Sequence, residues 1–465
     1  MFPALTFLHW LTLHGLVTLV AILLYVITSH VMQQRRNPAA AIAWMLFILL
    51  LPYLALPAFL AFGSRKLERP RVVRSAANPT PHGMDAWPIE TIVALGQSGA
   101  AGYHSLNVHG NGFEARNALM EIIERARYSI DLCTFILRHD SLGDDVVDRL
   151  CRKAREGVRV RLMLDGLGYL LAGCPKLKRL TESGGDVALF APPLKTPFRS
   201  RANLRNHRKL LVTDSRHGTG RLWCGGRNLA AEYFEGTPDV PAWVDLSFDL
   251  QGSFVQKTHA LFERDWVFAN QHKESVPELL SPDSACEKEG AQLVASGPDQ
   301  VDDTVYSLLV TAAYRARRRI VLSTPYFVPE SALLMALCLA ARRGVAVDLL
   351  LPARSNHRLS DWARSRAMRA LAHAGGRIWL AAGMLHAKLV VVDDLLALVG
   401  SANLDSRSLF LNYELMVAFH QAADVRRFAV WFDRERDHCH LYTATQPGLI
   451  RDVAEGMLLW IGFQL

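Results

Sequence analysis

Two short stretches carry the residues that could do chemistry: Asn206-His207-Arg208-Lys209-Leu210-Leu211-Val212-Thr213-Asp214 and Leu385-His386-Ala387-Lys388-Leu389-Val390-Val391-Val392-Asp393. In each, Lys follows His by two positions and Asp follows Lys by five. Side chains two apart on an extended strand share a face, so His and Lys act together, while Asp has the opposite parity and falls where the strand turns. One His-x-Lys arises often by chance. Two copies with the same Asp spacing point to one site built in two parts.

That set suits a phosphodiester. The ammoniums of Lys209 and Lys388 would neutralise its non-bridging oxygens and the charge that develops in the transition state. One imidazole can attack phosphorus and form a phosphohistidine. The other can protonate the leaving alkoxide and then deprotonate the incoming acceptor. The ordinary imidazole pKa, about 6.5, serves both tasks at neutral pH. Such a site needs no metal and no cofactor, but it needs both copies to meet. The two stretches by themselves leave open which histidine attacks.

The elements that must position these residues occur twice. A helical pattern over Ala118–Arg127 matches one over Thr304–Arg318. Ile130, Leu132 and Thr134 then match Ile320, Leu322 and Thr324 as strand positions. Gly157 to Asp165 matches Gly344 to Pro352, and Gly184-Gly185 matches Gly375-Gly376. Strands alternating with helices predict an α/β fold of two duplicated domains, 99–255 and 256–440, each a mixed β-sheet flanked by helices. A pseudo-twofold between them would bring the two motifs together.

Composition sets the outer limits. Of 465 residues, 50% are hydrophobic and 21% charged, which suits a globular protein with membrane content and excludes a disordered chain. The net charge of +8 favours anionic partners. Seven cysteines with no Cys-x-x-Cys argue against a disulfide framework or zinc knuckle and fit a reducing compartment. Residues 1–34 and 37–63 hold no charged side chain, and Thr6 to Thr28 alone reaches spanning length. Residues 1–63 are therefore expected to form a two-helix transmembrane hairpin. Arg35 and Arg36 sit in its loop, and Arg65, Lys66, Arg69, Arg71 and Arg74 follow it, which places the catalytic part in the cytoplasm. Residues 64–98, punctuated by Pro70, Pro79, Pro81 and Pro88, read as a basic linker. Val453, Met457, Trp460 and Ile461 give 441–465 an amphipathic character, suited equally to the bilayer surface or to the catalytic body. Arg354, His357, Arg358, Arg364, Arg366 and Arg369 follow a strand end, and could hold a second lipid's phosphate or form a solvated helix face. Arg315, Arg317, Arg318 and Arg319 read as a basic helix end.

On these motifs the sequence resembles the phospholipase D superfamily and, within it, the bacterial cardiolipin synthases. The resemblance extends over nearly the whole chain. The second motif fits in full, with Gly400-Ser401-Ala402-Asn403 beginning after six further residues; Ser323 to Glu330 and Leu404 to Glu414 match as well. The first motif departs. Ten residues separate Asp214 from Gly225, with Ser215 to Gly220 as the extra turn, and Gly226 stands where Ser is commoner in Gly225-Gly226-Arg227-Asn228. The resemblance implies that His207, Lys209, Asp214, His386, Lys388 and Asp393 are catalytic, His207 as nucleophile and His386 as acid/base. It implies that Asp245 and Glu414 fix the imidazole tautomers and that Asn228 and Asn403 bond near the phosphate, with Gly225, Gly226, Gly400 and Ser401 in support. It further implies phosphatidyl transfer between two phosphatidylglycerol molecules with release of glycerol, at the bacterial inner membrane. The expected partners are phosphatidylglycerol, other anionic phospholipids and the membrane, with no nucleic acid. A phospholipase D-type hydrolase, or less favourably a nuclease, would use the same motifs; the hairpin favours a lipid substrate.

Overall fold

The computed structural model describes residues 2–31, 38–62, 85–192, 203–237, 240–270, 290–300, 302–449, 451–452 and 455–456. The chain divides into two compact units, 1–72 with 191–204, and 73–190 with 205–465.

The N-terminal unit contains three helices, α1 (Phe2–Val31), α2 (Pro38–Leu50) and α3 (Pro52–Phe62). The second uncharged stretch is thus two helices, because Pro52 cannot continue the α2 ladder and opens α3 instead. Ala21, Tyr25, Ile48, Ala55 and Phe59 pack together inside the unit. Leu16, Leu19, Leu23, Leu46, Leu49 and Leu54 face outward. Among the described residues no helix is long and apolar enough to cross a membrane. The part of α1 described with its side chains, 12–27, is shorter than the roughly 20 residues a span needs.

The larger unit turns the sequence repeat into two sheets with one strand order. The first holds β1 (His104–His109), β2 (Ser129–Thr134), β3 (Arg159–Asp165), β4 (Asp186–Phe190), β5 (Leu210–Thr213), β6 (Arg221–Gly225) and β7 (Ser247–Gln251), in the order β1-β7-β6-β5-β2-β3-β4. The second holds β8 (Ala291–Ser296), β9 (Arg319–Ser323), β10 (Ala346–Pro352), β11 (Arg377–Ala381), β12 (Leu389–Val392), β13 (Leu396–Gly400) and β14 (Asn412–Phe419), in the order β8-β14-β13-β12-β9-β10-β11. Residues 440–441 extend this sheet beside β11, and residues 205–206 join it beside β14. Both sheets are mixed: β2, β3 and β4 run parallel, and the hairpin strands antiparallel. The strands that follow the motifs, β5 and β12, are buried at every position, so they show an unbroken apolar run in place of alternation.

In the first half the helices are α5 (Gly112–Arg125), α6 (Ser141–Arg155), α7 (Gly166–Ala172), α8 (Lys178–Glu182) and α9 (Phe254–Asn270), once α4 (Trp87–Ala94) is set aside. In the second half they are α10 (Thr304–Arg315), α11 (Ser331–Arg342), α12 (Arg358–His373), α13 (Ser406–Phe410) and α14 (Ala422–Arg436). The matched Gly-Gly pairs have one physical cause. Gly184 and Gly375 take φ +93° and +100°, and a Cβ on Gly185 or Gly376 would stand 2.7 Å from Leu180 or Leu371.

Three expectations are corrected. Residues 87–94 of the expected linker form α4, whose Trp87 and Ile92 are buried in the core of the second half. Each repeat opens with a strand, β1 or β8, before its first helix. The boundary placed at 255/256 falls inside α9, whose Glu263 and Asp265 bond Arg161 and Arg208 of the first half. The amphipathic spacing of 453–461 lies outside the described residues except for 455–456, and the basic flank 65–74 lies wholly outside them.

Candidate active site

The register of the sheets sets the position of both motifs. Leu210 pairs with Cys133 and Leu389 with Ser323, so His207/Lys209 and His386/Lys388 enter their strands beside the C-terminal ends of β2 and β9. The same edge carries the ends of β3 and β10, where loops of α/β sheets gather ligand sites.

Backbone pairing between the halves then crosses the two sites over. Arg205 and Asn206 pair with Asn412 and Tyr413, and the His207 N–H donates to the Tyr413 carbonyl at 2.9 Å. Val244 bridges Leu385, and the His386 N–H donates to the Val244 carbonyl at 2.7 Å. Each histidine is thereby set opposite the residue that precedes a carboxylate of the other half. His207 Nδ1 lies 3.0 and 3.1 Å from the two Glu414 oxygens. His386 Nδ1 lies 2.7 Å from Asp245 Oδ2. A carboxylate only accepts, so each Nδ1 carries the proton and each Nε2 keeps its lone pair.

The two carboxylates are held differently. Glu414 accepts from Ser401 Oγ at 2.5 Å and from Asn412 Nδ2 at 3.1 Å. Asp245 Oδ1 accepts from the Leu246 N–H at 2.7 Å. A Cβ at Gly226 would stand 2.3 Å from that Oδ1, which explains why this half has Gly where the other has Ser401. Gly225 and Gly400 lie flush against neighbouring backbone: a Cβ would sit 2.4 Å from the Leu246 carbonyl oxygen or 2.0 Å from that of Leu415. The lengthened turn is residues 214–220 between β5 and β6, against 393–395 between β12 and β13, and it leaves the His-Lys segment untouched.

Burial dominates the electrostatics. It pushes Lys209 down to about 8 and Lys388 down to about 7, against the pull of the nearby carboxylates. Burial also lowers both imidazoles, His386 to about 3 with Lys388 adding to the effect. Burial opposes the charge of Asp245 and Glu414, but the facing histidines and lysines outweigh it and hold both carboxyls low, Asp245 at about 2. While protonated, the two lysines thus balance the two carboxylates around imidazoles that burial keeps neutral. Lys209 Nζ donates to the His207 carbonyl at 2.7 Å. Lys388 Nζ donates to the His386 carbonyl and lies 2.8 and 3.0 Å from the ring nitrogens of His386.

Asn228 and Asn403 are buried, each with an Oδ1 that has no partner among the described residues, and Asn228 Nδ2 donates to the Tyr233 hydroxyl at 2.8 Å. The Asp214 and Asp393 carboxylates, expected to be catalytic, bond backbone N–H groups rather than the imidazoles. Seven positions beyond His207, at about 3.3 Å per extended residue, Asp214 is roughly 20 Å along the chain. Its carboxylate accepts from the N–H groups of Arg127, Tyr128 and Ser129, and Asp393 does the same for Arg317, Arg318 and Arg319. Both take positive φ, 46° and 51°, so each tethers the end of its motif strand to the start of the next strand, β2 or β9. Arg364 donates to the carbonyls of Pro352 and Ala353, and Arg366 and Arg369 pair with Asp452 and Glu455. Arg318 and Arg319 pair with Asp394 and Asp433.

Sequence reasoning missed the rings around the imidazoles. Tyr233 and Trp243 lie 5.0 and 5.6 Å from the His386 ring, and Phe135 lies 5.1 Å from that of His207. Phe135 and Trp243 lie in loops and Tyr233 in the 3-10 turn 231–233, where spacing carries no signal. Asn412 was findable, since it shares a strand face with Glu414 two positions on. Buried Arg208 and Arg227 also escaped notice: Arg208 pairs with Asp265 at 2.5 Å, and Arg227 binds the Asp245 carbonyl and, at 3.0 Å, Ser247 Oγ.

Comparison with known proteins bears on the same residues. The family model "Cardiolipin synthase, PLD-like domain" matches 119–266 and 309–436, more than half of the chain and both motifs. The chain belongs to the phospholipase D-like cardiolipin synthase family. A phospholipase D-nuclease N-terminal model also matches 17–64. Among curated members of this family, cardiolipin synthase A of Edwardsiella ictaluri is 32% identical over 445 residues, covering 88% of each chain. Cardiolipin synthase 1 of Bacillus cereus is 29% identical over 433 residues, covering 87% of this chain and 84% of its own. Among solved structures, phosphatidylserine synthase of Haemophilus influenzae is similar in fold, with a TM-score of 0.61 at 12% identity, covering 82% of this chain and all of that one.

Proposed function

We propose that this chain transfers a phosphatidyl group from one phosphatidylglycerol to another with release of glycerol, as a membrane-anchored bacterial enzyme. The observation that carries the reading is the crossed pairing of His207 with Glu414 and of His386 with Asp245, with Lys209 and Lys388 buried beside them. Membership of the family and relatives named cardiolipin synthase supply the lipid class.

In the first step His207 Nε2 attacks phosphorus, the bond to the leaving glycerol oxygen breaks, and His386 gives that oxygen its proton. In the second, a hydroxyl of the second phosphatidylglycerol loses its proton to His386 and attacks phosphorus, and the P–N bond breaks to restore His207. The bound phosphate anion offsets Lys388 and raises the proton affinity of His386, which prepares it as the acid. Glu414 stabilises His207 as it becomes cationic on phosphorylation. Lys209 and Lys388 take the charge of the non-bridging oxygens, and the amides of Asn228 and Asn403 add neutral bonds.

The reading includes the N-terminal hairpin as the anchor. Outward leucines on α1, α2 and α3 and an uncharged sequence over 1–34 and 37–63 support it. The basic flank after it favours a cytoplasmic catalytic body. The test is product identity. The full chain with phosphatidylglycerol should give cardiolipin and glycerol in equal amounts. Phosphatidic acid in place of cardiolipin, with glycerol still released as water attacks phosphorus, would make the protein a hydrolase.

A further inference from the structure

The crossover after β3 and the crossover after β10 occupy equivalent places in the two halves, and both expose large apolar side chains. After β3, Leu170 and Leu171 on α7 are 51% and 76% exposed. After β10, Leu359 and Trp362 at the start of α12 are 54% and 59% exposed. Apolar residues scattered singly over a surface need no explanation. Two adjacent pairs at matching positions of a duplicated fold are not scattered.

Both crossovers border the site. Asp165, which caps α7, accepts the Asn206 N–H at 2.8 Å, one residue before His207. A Cβ on Gly168 of α7 would stand 1.8 Å from the Phe135 carbonyl oxygen, and the Phe135 ring is the one beside His207. In the second half Tyr326, just past the end of β9, donates to Asn356 at 2.6 Å and sits 5.2 Å from the His357 ring. Cations stand next to the apolar tips. Arg354, Arg358 and Lys176 are exposed, and among the described residues none of them makes an ion pair.

We propose that these two crossovers form a bilayer-docking face around the active-site mouth, with Leu170, Leu171, Leu359 and Trp362 entering an anionic lipid surface. The proposal rests on the lipid-substrate reading. A phosphodiester headgroup lies at the level where Trp and Leu settle and where Arg and Lys meet lipid phosphates, so tips on either side of the mouth bring the imidazoles to that depth.

The test uses the full chain carrying Leu170→Ser, Leu171→Ser, Leu359→Ser and Trp362→Ser. It is assayed on phosphatidylglycerol diluted in phosphatidylcholine vesicles and on short-chain phosphatidylglycerol below its micellar threshold. The expected result is a loss of about tenfold or more in kcat/KM on vesicles, with monomer turnover within about twofold of wild type. In parallel, Trp362 emission, taken as the difference from Trp362→Phe, should be quenched by lipids brominated near the headgroup end of the acyl chain. Equal vesicle rates, or equal losses on both substrates, would overturn the proposal, as would a drop in particle mass that marks the face as a contact between copies. Failure of the wild type on the monomeric lipid would instead count against the substrate reading, and the quenching would still judge the docking face.

Discussion

The imidazole of His207 is fixed by Glu414, 207 positions further along the chain, with Nδ1 3.1 Å from Oε2. The pairing is possible because the His207 N–H is already bonded to the carbonyl of Tyr413, the residue before Glu414. His386 and Asp245 repeat the arrangement through Val244. The unit of chemistry is therefore one histidine from each half with the carboxylate of the other.

Glu414→Gln and Asp245→Asn keep the shape but offer the imidazole an amide that can hold the wrong tautomer. Each should lower kcat on the order of 10²–10⁴-fold with the fold retained. Turnover within a few-fold of wild type, with native circular dichroism, would remove the tautomer role.

Roles within the site separate with a phosphodiester whose leaving group needs no proton. His386→Ala should still form a phosphoenzyme on such a substrate, and acid-labile phosphate should map to His207. His207→Ala should form none. A phosphoenzyme at residue 386 in the His207→Ala variant would reverse the assignment.

Asp214→Ala should act on stability and spare chemistry. It leaves the N–H groups of Arg127, Tyr128 and Ser129 without their acceptor, a loss of about 2–4 kcal/mol in urea unfolding. The folded fraction should keep kcat/KM within a few-fold. A thousandfold loss at unchanged stability would return Asp214 to the chemistry.

The pH profile follows from the two lysines. In the proposed mechanism each binds phosphate as an ammonium, and burial holds them at about 8 for Lys209 and about 7 for Lys388. As pH rises through 7 to 8 the charges are lost, so kcat/KM, which reports the free enzyme, should fall there. The nucleophile His207 must be neutral, and burial holds its imidazole below the ordinary range, so the acid limb should begin below about 6.5. A profile on short-chain phosphatidylglycerol that stays flat from pH 7 up to pH 9 would contradict this.

Gly226→Ser copies the second half's Ser401 into the first. A Cβ there would collide with Asp245 Oδ1, so it should displace the carboxylate and cost at least tenfold in kcat, about 1.4 kcal/mol or more. Ser401→Gly removes one hydrogen bond to Glu414 and makes no collision, and should cost less. The opposite ranking, read from kcat at matched expression, would refute the packing account of this asymmetry.

The sequence by itself determined the duplicated α/β plan and the two His-Lys pairs. Strand parity, apolar runs and matched Gly-Gly turns are local signals, readable one residue after another. It also named Asp245 and Glu414, through resemblance, without saying which histidine each would meet. Only the tertiary structure decided that exchange, because it depends on backbone pairing between segments some 140 to 210 residues apart, which no local pattern encodes. The same dependence bears on Asp214 and Asp393: spacing put each where its strand turns, resemblance implied a catalytic role, and only the fold shows each carboxylate accepting three N–H groups of a distant segment. The aromatic rings at the imidazoles come from the connections between strands, and the apolar tips from crossover helices, all positioned by the sheets beneath them. Their meaning appears only when the chain is folded.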